Sequence, residues 1–173
     1  MTTSSQDRTT SERVDFLQTL QKHRDFLRFT LRNLSDEQAA QRTTVSELCL
    51  GGLIKHVSAV ESNWTDFILN GPADRSSDDQ QAGDWAAGFR MEPGEHVMDL
   101  LDHYDTVAQR TDDVLASLPD LDLSHPLPEA PWFEAGAAWS ARRVLLHIIA
   151  ETAQHAGHAD IIRESIDGSK TMG

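Results

Sequence analysis

Residues 140–167, SARRVLLHIIAETAQHAGHADIIRESID, read as one long helix. Ser140 supplies an N-cap hydroxyl and Gly168 a C-terminal stop. At roughly 100° per residue, His147, Glu151, His155 and His158 fall in one narrow sector. Val144, Ile148, Ala159, Ile162 and Ile166 share or adjoin it, while Arg142, Asp160, Arg163, Glu164 and Asp167 point away. Three imidazoles and a carboxylate therefore lie on the face that should be buried. A buried carboxylate has to be paired, protonated or bound to a cation. Glu151 and His155, one turn apart, have ligand spacing for a divalent metal.

Working outward, three more segments carry helical periodicity. From Ser11 to Leu34 the stripe is Phe16, Leu20, Leu27, Leu31 and Leu34, with His23 in line. Residues 35–44 form a connector with room for one helical turn. A second helix is expected from a Ser46 cap to about Leu69, stopped by Asn70-Gly71-Pro72. Its inner stripe is Leu53, His56, Val57, Val60, Trp64 and Phe67. Gly51 and Gly52 near its start allow another backbone to come close. A third helix follows Pro93-Gly94 and runs to about Leu118, with the stripe Val97, Leu101, Tyr104, Ala108, Thr111, Leu115 and Leu118. Asp99, Asp102, Asp105, Asp112 and Asp113 lie off that stripe and read as a solvated face.

Two long connections complete the chain. Residues 71–93 are rich in Gly, Asp, Ser and Gln, and offer Trp85, Phe89 and Met91 as anchors. Residues 119–139 carry Pro126, Pro128, Pro131, Trp132, Phe133 and Trp139. That aromatic loop reads either as a lid or as a hydrophobic strap over the bundle. Strand signals are nearly absent. The expected fold is all-α: a four-helix bundle with long crossover loops spanning 11–168, between a disordered tail at 1–10 and a short one at 169–173.

Composition bounds the function. The chain has 173 residues, with 15 Lys and Arg against 28 Asp and Glu, a formal net charge of −13. That balance excludes phosphate-backbone binding and disfavours anionic membranes. Cys49 is the single cysteine, so no intrachain disulfide and no cysteine-based zinc site can form. No apolar run nears the about 18 residues of a membrane span, and the polar start carries no apolar signal core. A cytoplasmic protein is the expectation.

His56 from the second helix, with Glu151 and His155 from the last, makes a two-histidine, one-carboxylate set with coordination positions left over. Zinc hydrolases and non-haem iron enzymes use such sets. Read alone, His56 is more often a core histidine bonded to a backbone carbonyl, and Glu151 with His155 equally a hydrogen-bonded pair. His158 is open to three roles: ligand, neighbour of a ligand, or general base. His147 sits one turn before Glu151 and can orient it. His23 reads as core packing, and His96, His103 and His125 as exposed. Cys49 reads as a small buried residue, because no base is adjacent.

The stretches LGGLIKHVSAVESNW (50–64) and WSARRVLLHIIAETAQHAGHADIIRESIDG (139–168) resemble the DinB/YfiT-like superfamily. Within it, they resemble the actinobacterial branch related to mycothiol-dependent maleylpyruvate isomerase. The resemblance implies a four-helix bundle, possible homodimers, and a metal set of His56, Glu151 and His155, with glutamate first in the last pair as in the isomerase branch. It also implies thiol-dependent transferase or isomerase chemistry, with a divalent ion (zinc, nickel, iron or manganese) activating a small thiol such as mycothiol toward an electrophile. His158, where many relatives carry glutamine, is then the candidate to move the proton. The alternative is a bundle that binds metal without catalysing a reaction, in a stress-related or interaction role.

Overall fold

The computed structural model describes residues 5–73 and 88–171. Trp85, an expected loop anchor, lies outside the described residues. The elements are α1 (Ser5–Phe29), α2 (Asp36–Ala39), α3 (Leu50–Asn70), α4 (Val97–Ser117), β1 (Ser124–Pro126), β2 (Ala138–Ser140) and α5 (Ala141–Asp167). The four long helices form the expected bundle: α5 packs on α1 and α3, and α4 on α3 and α1. Among the described residues, no helix is long and apolar enough to cross a membrane.

The ends of α5 follow the local chemistry. The Ser140 hydroxyl accepts from the Arg143 amide, and Gly168 takes the left-handed conformation at φ 78° while its amide returns to Glu164. Helix α1 begins at Ser5, six residues ahead of expectation, and gives way to tighter turns at Thr30. There the amide and hydroxyl both fold back onto the Leu27 carbonyl, at 3.2 and 2.7 Å. The expected single turn in the connector is α2, closed at its start by a reciprocal Ser35–Gln38 capping box.

Helix α3 starts at Leu50, four residues after the expected cap. The Cys49 sulfur accepts from the Gly52 amide, whereas the Ser46 hydroxyl accepts from Leu48 in the turn before it. Gly52 is where a backbone comes close: a Cβ there would stand 1.8 Å from the Phe89 carbonyl oxygen. At Gly51 the covering group is the Met91 side chain, whose sulfur would lie 2.6 Å from a Cβ. The Lys55 ammonium donates to the Arg90 carbonyl at 3.0 Å and to Glu95 at 2.7 and 2.9 Å. Phe89 and Met91 thus anchor the end of the first long connection to α3.

The second connection contains what periodicity did not announce, a two-stranded antiparallel ladder pairing Ser124 with Ser140, His125 with Trp139 and Pro126 with Ala138. Its pairs flank a proline-rich bend and are too short to show alternation. His125 is half-buried there rather than exposed, with Nε2 3.1 Å from the Ile68 carbonyl and its ring edge-on to Phe67.

The core has two apolar halves. One gathers Leu27, Leu31, Leu50, Leu53, Ile54, Val57, Ala156, Ala159 and Ile162. The other gathers Phe16, Leu20, Phe67, Ile68, Leu115, Leu121, Val144, Leu145 and Ile148. Buried polar side chains also enter the interior. Arg24, 1% exposed, donates to Glu61, fully buried, through both Nε and a terminal nitrogen, and to Asp112 at 2.9 Å. The Thr65 and Thr111 hydroxyls meet at 3.0 Å beside that pair. Asp112 therefore leaves the solvated acidic face to which it was assigned. Arg163, expected to face outward, is also buried. It holds the carbonyls of Thr30 and Arg32 at 2.9 and 2.8 Å and reaches Asp167 one turn on.

Candidate metal centre

The site forms where the inner stripe of α3 faces that of α5. His56, Glu151 and His155 each turn a ligand atom toward a common point, and those atoms all lie within 4.8 Å of one another. Glu151 Oε2 is 3.5 Å from His155 Nε2 and 3.8 Å from His56 Nε2. Two ligands each about 2.1 Å from a tetrahedral cation stand about 3.4 Å apart. The separations are therefore too long for hydrogen bonds and close to those of a ligand set. Two imidazoles and one carboxylate are donors that divalent transition ions accept.

The electrostatics keep the donors available. Burial, helped by the neighbouring His56, pushes the His155 imidazole down to about 4. Burial lowers His56 as well, against the opposing pull of Glu151. Both rings are therefore neutral at pH 7 and carry a free-electron-pair nitrogen, the form that ligates metals. The His56 ring is held face to face with Phe89 at 4.1 Å and edge-on to His155 at 4.7 Å, so its direction is fixed by packing. Phe89 arrives on the segment that Gly52 admits, which ties the two adjacent glycines to the site.

The remaining histidines of α5 surround this group. His158 Nδ1 lies 3.4 Å from His155 Nδ1. When His155 offers its Nε2 pair inward, its Nδ1 carries the hydrogen and donates to His158, the arrangement that fixes the tautomer of a ligating imidazole. His147 Nε2 is 3.8 Å from the other Glu151 oxygen, Oε1, beyond hydrogen-bond reach, and burial lowers this imidazole as well. His147 also touches Trp64 and Trp139, with ring centroids 5.0 and 5.2 Å apart. Trp64 and Trp139 are stacked at 4.9 Å, and Phe133 packs against Trp139 at 5.7 Å. Trp132 is 72% exposed. His23 stays on α1, edge-on to Phe26.

The sequence offered the Trp132–Trp139 loop as a lid or strap and Trp64 as an inward residue, but not their contact. Trp64 and Trp139 are 75 positions apart, and Trp139, paired with His125 in the middle of the short ladder, is brought onto Trp64 by the turn of the second connection. A cavity of about 450 Å³ opens beside them, lined among others by Trp64, Phe67, Pro72, Trp132 and Phe133.

The mycothiol-S-transferase family matches residues 15–168 of the chain. No curated protein matches significantly. Among solved structures, a conserved protein from Enterococcus faecalis superposes with a TM-score of 0.64 at 14% identity, covering 89% of this chain and 96% of that one. At that identity the likeness speaks for the fold, and it agrees with the all-α bundle. With the family match running from within α1 to the end of α5, the chain belongs to the mycothiol S-transferase family, within the DinB/YfiT-like superfamily.

Proposed function

We propose that the protein is a transferase that joins the sulfur of mycothiol, or a closely similar thiol, to an electrophilic carbon, with a divalent ion held by His56, Glu151 and His155. The observation that carries this reading is the convergence of those three ligand atoms within 4.8 Å in a chain of this family. A divalent ion in that set would favour the thiolate over the thiol at neutral pH, and the thiolate is the nucleophile.

The protein's own residues have three tasks in this scheme. His56 and His155 stay neutral through burial, and Phe89 keeps the His56 ring oriented. Glu151 brings the single negative charge of the set. His158 carries the proton balance: the S–H bond breaks as the S–C bond forms, the bond from that carbon to its leaving group breaks with the electron pair going to the leaving group, and the thiol proton passes through the half-buried His158 ring to solvent or to that leaving group. Taking up that proton at Nδ1 requires His158 to release its contact with His155, so the two imidazoles act as a linked pair.

Protein purified without a histidine tag, assayed for loss of free thiol against a panel of electrophiles, tests the reading. Turnover that disappears with a chelator and returns with added metal supports it. A tightly held metal without thiol-dependent turnover would favour the non-catalytic binder.

A further inference from the structure

Two adjacent arginines open α5, and they are used differently. Arg142 reaches Glu12 and Asp122. Arg24, Arg110 and Arg163 likewise each reach a carboxylate. The side chain of Arg143 meets no carboxylate among the described residues, although acids outnumber bases 28 to 15 in the chain. Its guanidinium instead lies over the Trp139 ring, 4.3 Å from the centroid, one helical turn before His147.

Stacking on an indole satisfies the face of a guanidinium and leaves the N–H edge unused. That edge matches a carboxylate in two parallel hydrogen bonds. The same Trp139 ring touches Trp64 and Phe133, two walls of the 450 Å³ cavity. A cationic fork and a cavity with aromatic walls therefore share one indole; the cavity's polar side is Asn63 and Asp66, the latter already paired with Arg110, and the indole also contacts His147 next to Glu151.

We propose that Arg143 is the anchor for a carboxylate on the electrophile, whose apolar, conjugated or aryl body lies against Trp64, Trp132 and Phe133. This rests on the transferase reading for the identity of the ligand, but carboxylate binding at Arg143 does not depend on turnover. Arg143 is a specificity residue in this account, remote from the reacting sulfur.

The test uses tag-free, metal-loaded protein with benzoate and its uncharged counterpart benzamide as probes, followed by tryptophan fluorescence and indole N–H signals. Benzoate is expected to bind the wild type and to bind R143Q about tenfold more weakly or worse, with R143K in between. Benzamide should bind weakly and equally to all three. Equal benzoate affinity in wild type and R143Q overturns the proposal. So does benzoate binding that vanishes after chelation yet survives in R143Q, because the carboxylate would then sit on the metal. Where turnover is present, R143Q should raise KM for a carboxylate-bearing electrophile and leave its amide analogue unchanged. An equal rise for both overturns the assignment to the electrophile. Absent turnover with intact benzoate discrimination would refute the transferase reading and leave the anchor standing.

Discussion

Glu61 and Glu151 are both carboxylates on inward faces of the bundle, and their surroundings are opposite. Glu61 is fully buried and clasped by the Arg24 guanidinium, which Asp112 and the Ala108 carbonyl also hold. Glu151 keeps 29% of its side chain exposed and faces three imidazoles at 3.5–3.8 Å, none close enough for a hydrogen bond. The first cluster is complete in the protein alone. The second has donors arranged around a point where a cation could sit. A closed ionic cluster fixes how α1, α3 and α4 meet, whereas an open one is a place to bind something. The difference lies in which partner faces the acid: a guanidinium is always charged, while imidazoles lowered by burial are neutral.

The sharpest way to break this contrast is to exchange the fates of the two acids. Replacing Arg24 by Met leaves Glu61 buried without a partner and should cost about 3–5 kcal/mol in urea unfolding. The double variant R24M/E61L, with both charges gone, should recover most of that loss. Glu151→Gln should instead change the stability of the metal-free protein by less than about 1 kcal/mol. It should also abolish the rise in Tm that added metal gives the wild type. If E151Q unfolds as readily as R24M, the two acids are not different in kind.

Two smaller effects refine the open cluster. His158→Gln keeps a hydrogen-bond acceptor near His155 Nδ1. Metal content should therefore hold while thiol turnover falls by about 10²-fold, the scale of a lost proton-transfer group. Loss of metal in H158Q would make the residue a ligand. Phe89→Ala removes the ring stacked on His56 and should weaken metal binding about tenfold in a competition titration, since the supports of a ligand commonly contribute that much.

The smallest effect lies at the surface. His96 and Asp36 share a 2.7 Å contact that raises the imidazole and lowers the carboxylate. The raised histidine contributes stability that is complete below its unfolded value of about 6.5 and is lost as pH rises through the folded one. The lowered carboxylate contributes stability present above about 3.9 and lost as pH falls through its folded value. Asp36→Asn should flatten the Tm profile at both edges of that window, while an unchanged profile would show that the contact does not form in solution.

Much of the open cluster was legible in the sequence, because it depends on spacing within helices. Glu151 and His155 share a face by being four apart, and His56 belongs to an apolar stripe that has to face inward. The closed cluster was not. Arg24 sits beside His23 and looks like a solvated charge until Glu61, 37 positions away on another helix, is brought to it. Periodicity says which face is buried and says nothing about which charges will meet there. The ends of elements followed the same rule. Ser140 and Gly168 act locally and were readable, whereas the start of α3 depends on the Cys49 sulfur and on Phe89 arriving from a distant loop. His125 and the short ladder around it were hidden because they are made by pairing across fourteen positions.

The most direct test is the metal content of tag-free protein, measured by elemental analysis after incubation with a divalent ion and removal of the excess. The account predicts about one equivalent per chain in the wild type, and essentially none in the H56A/H155A variant with its fold intact by circular dichroism. A wild-type protein that retains no metal, or a double variant that retains as much as the wild type, would contradict it.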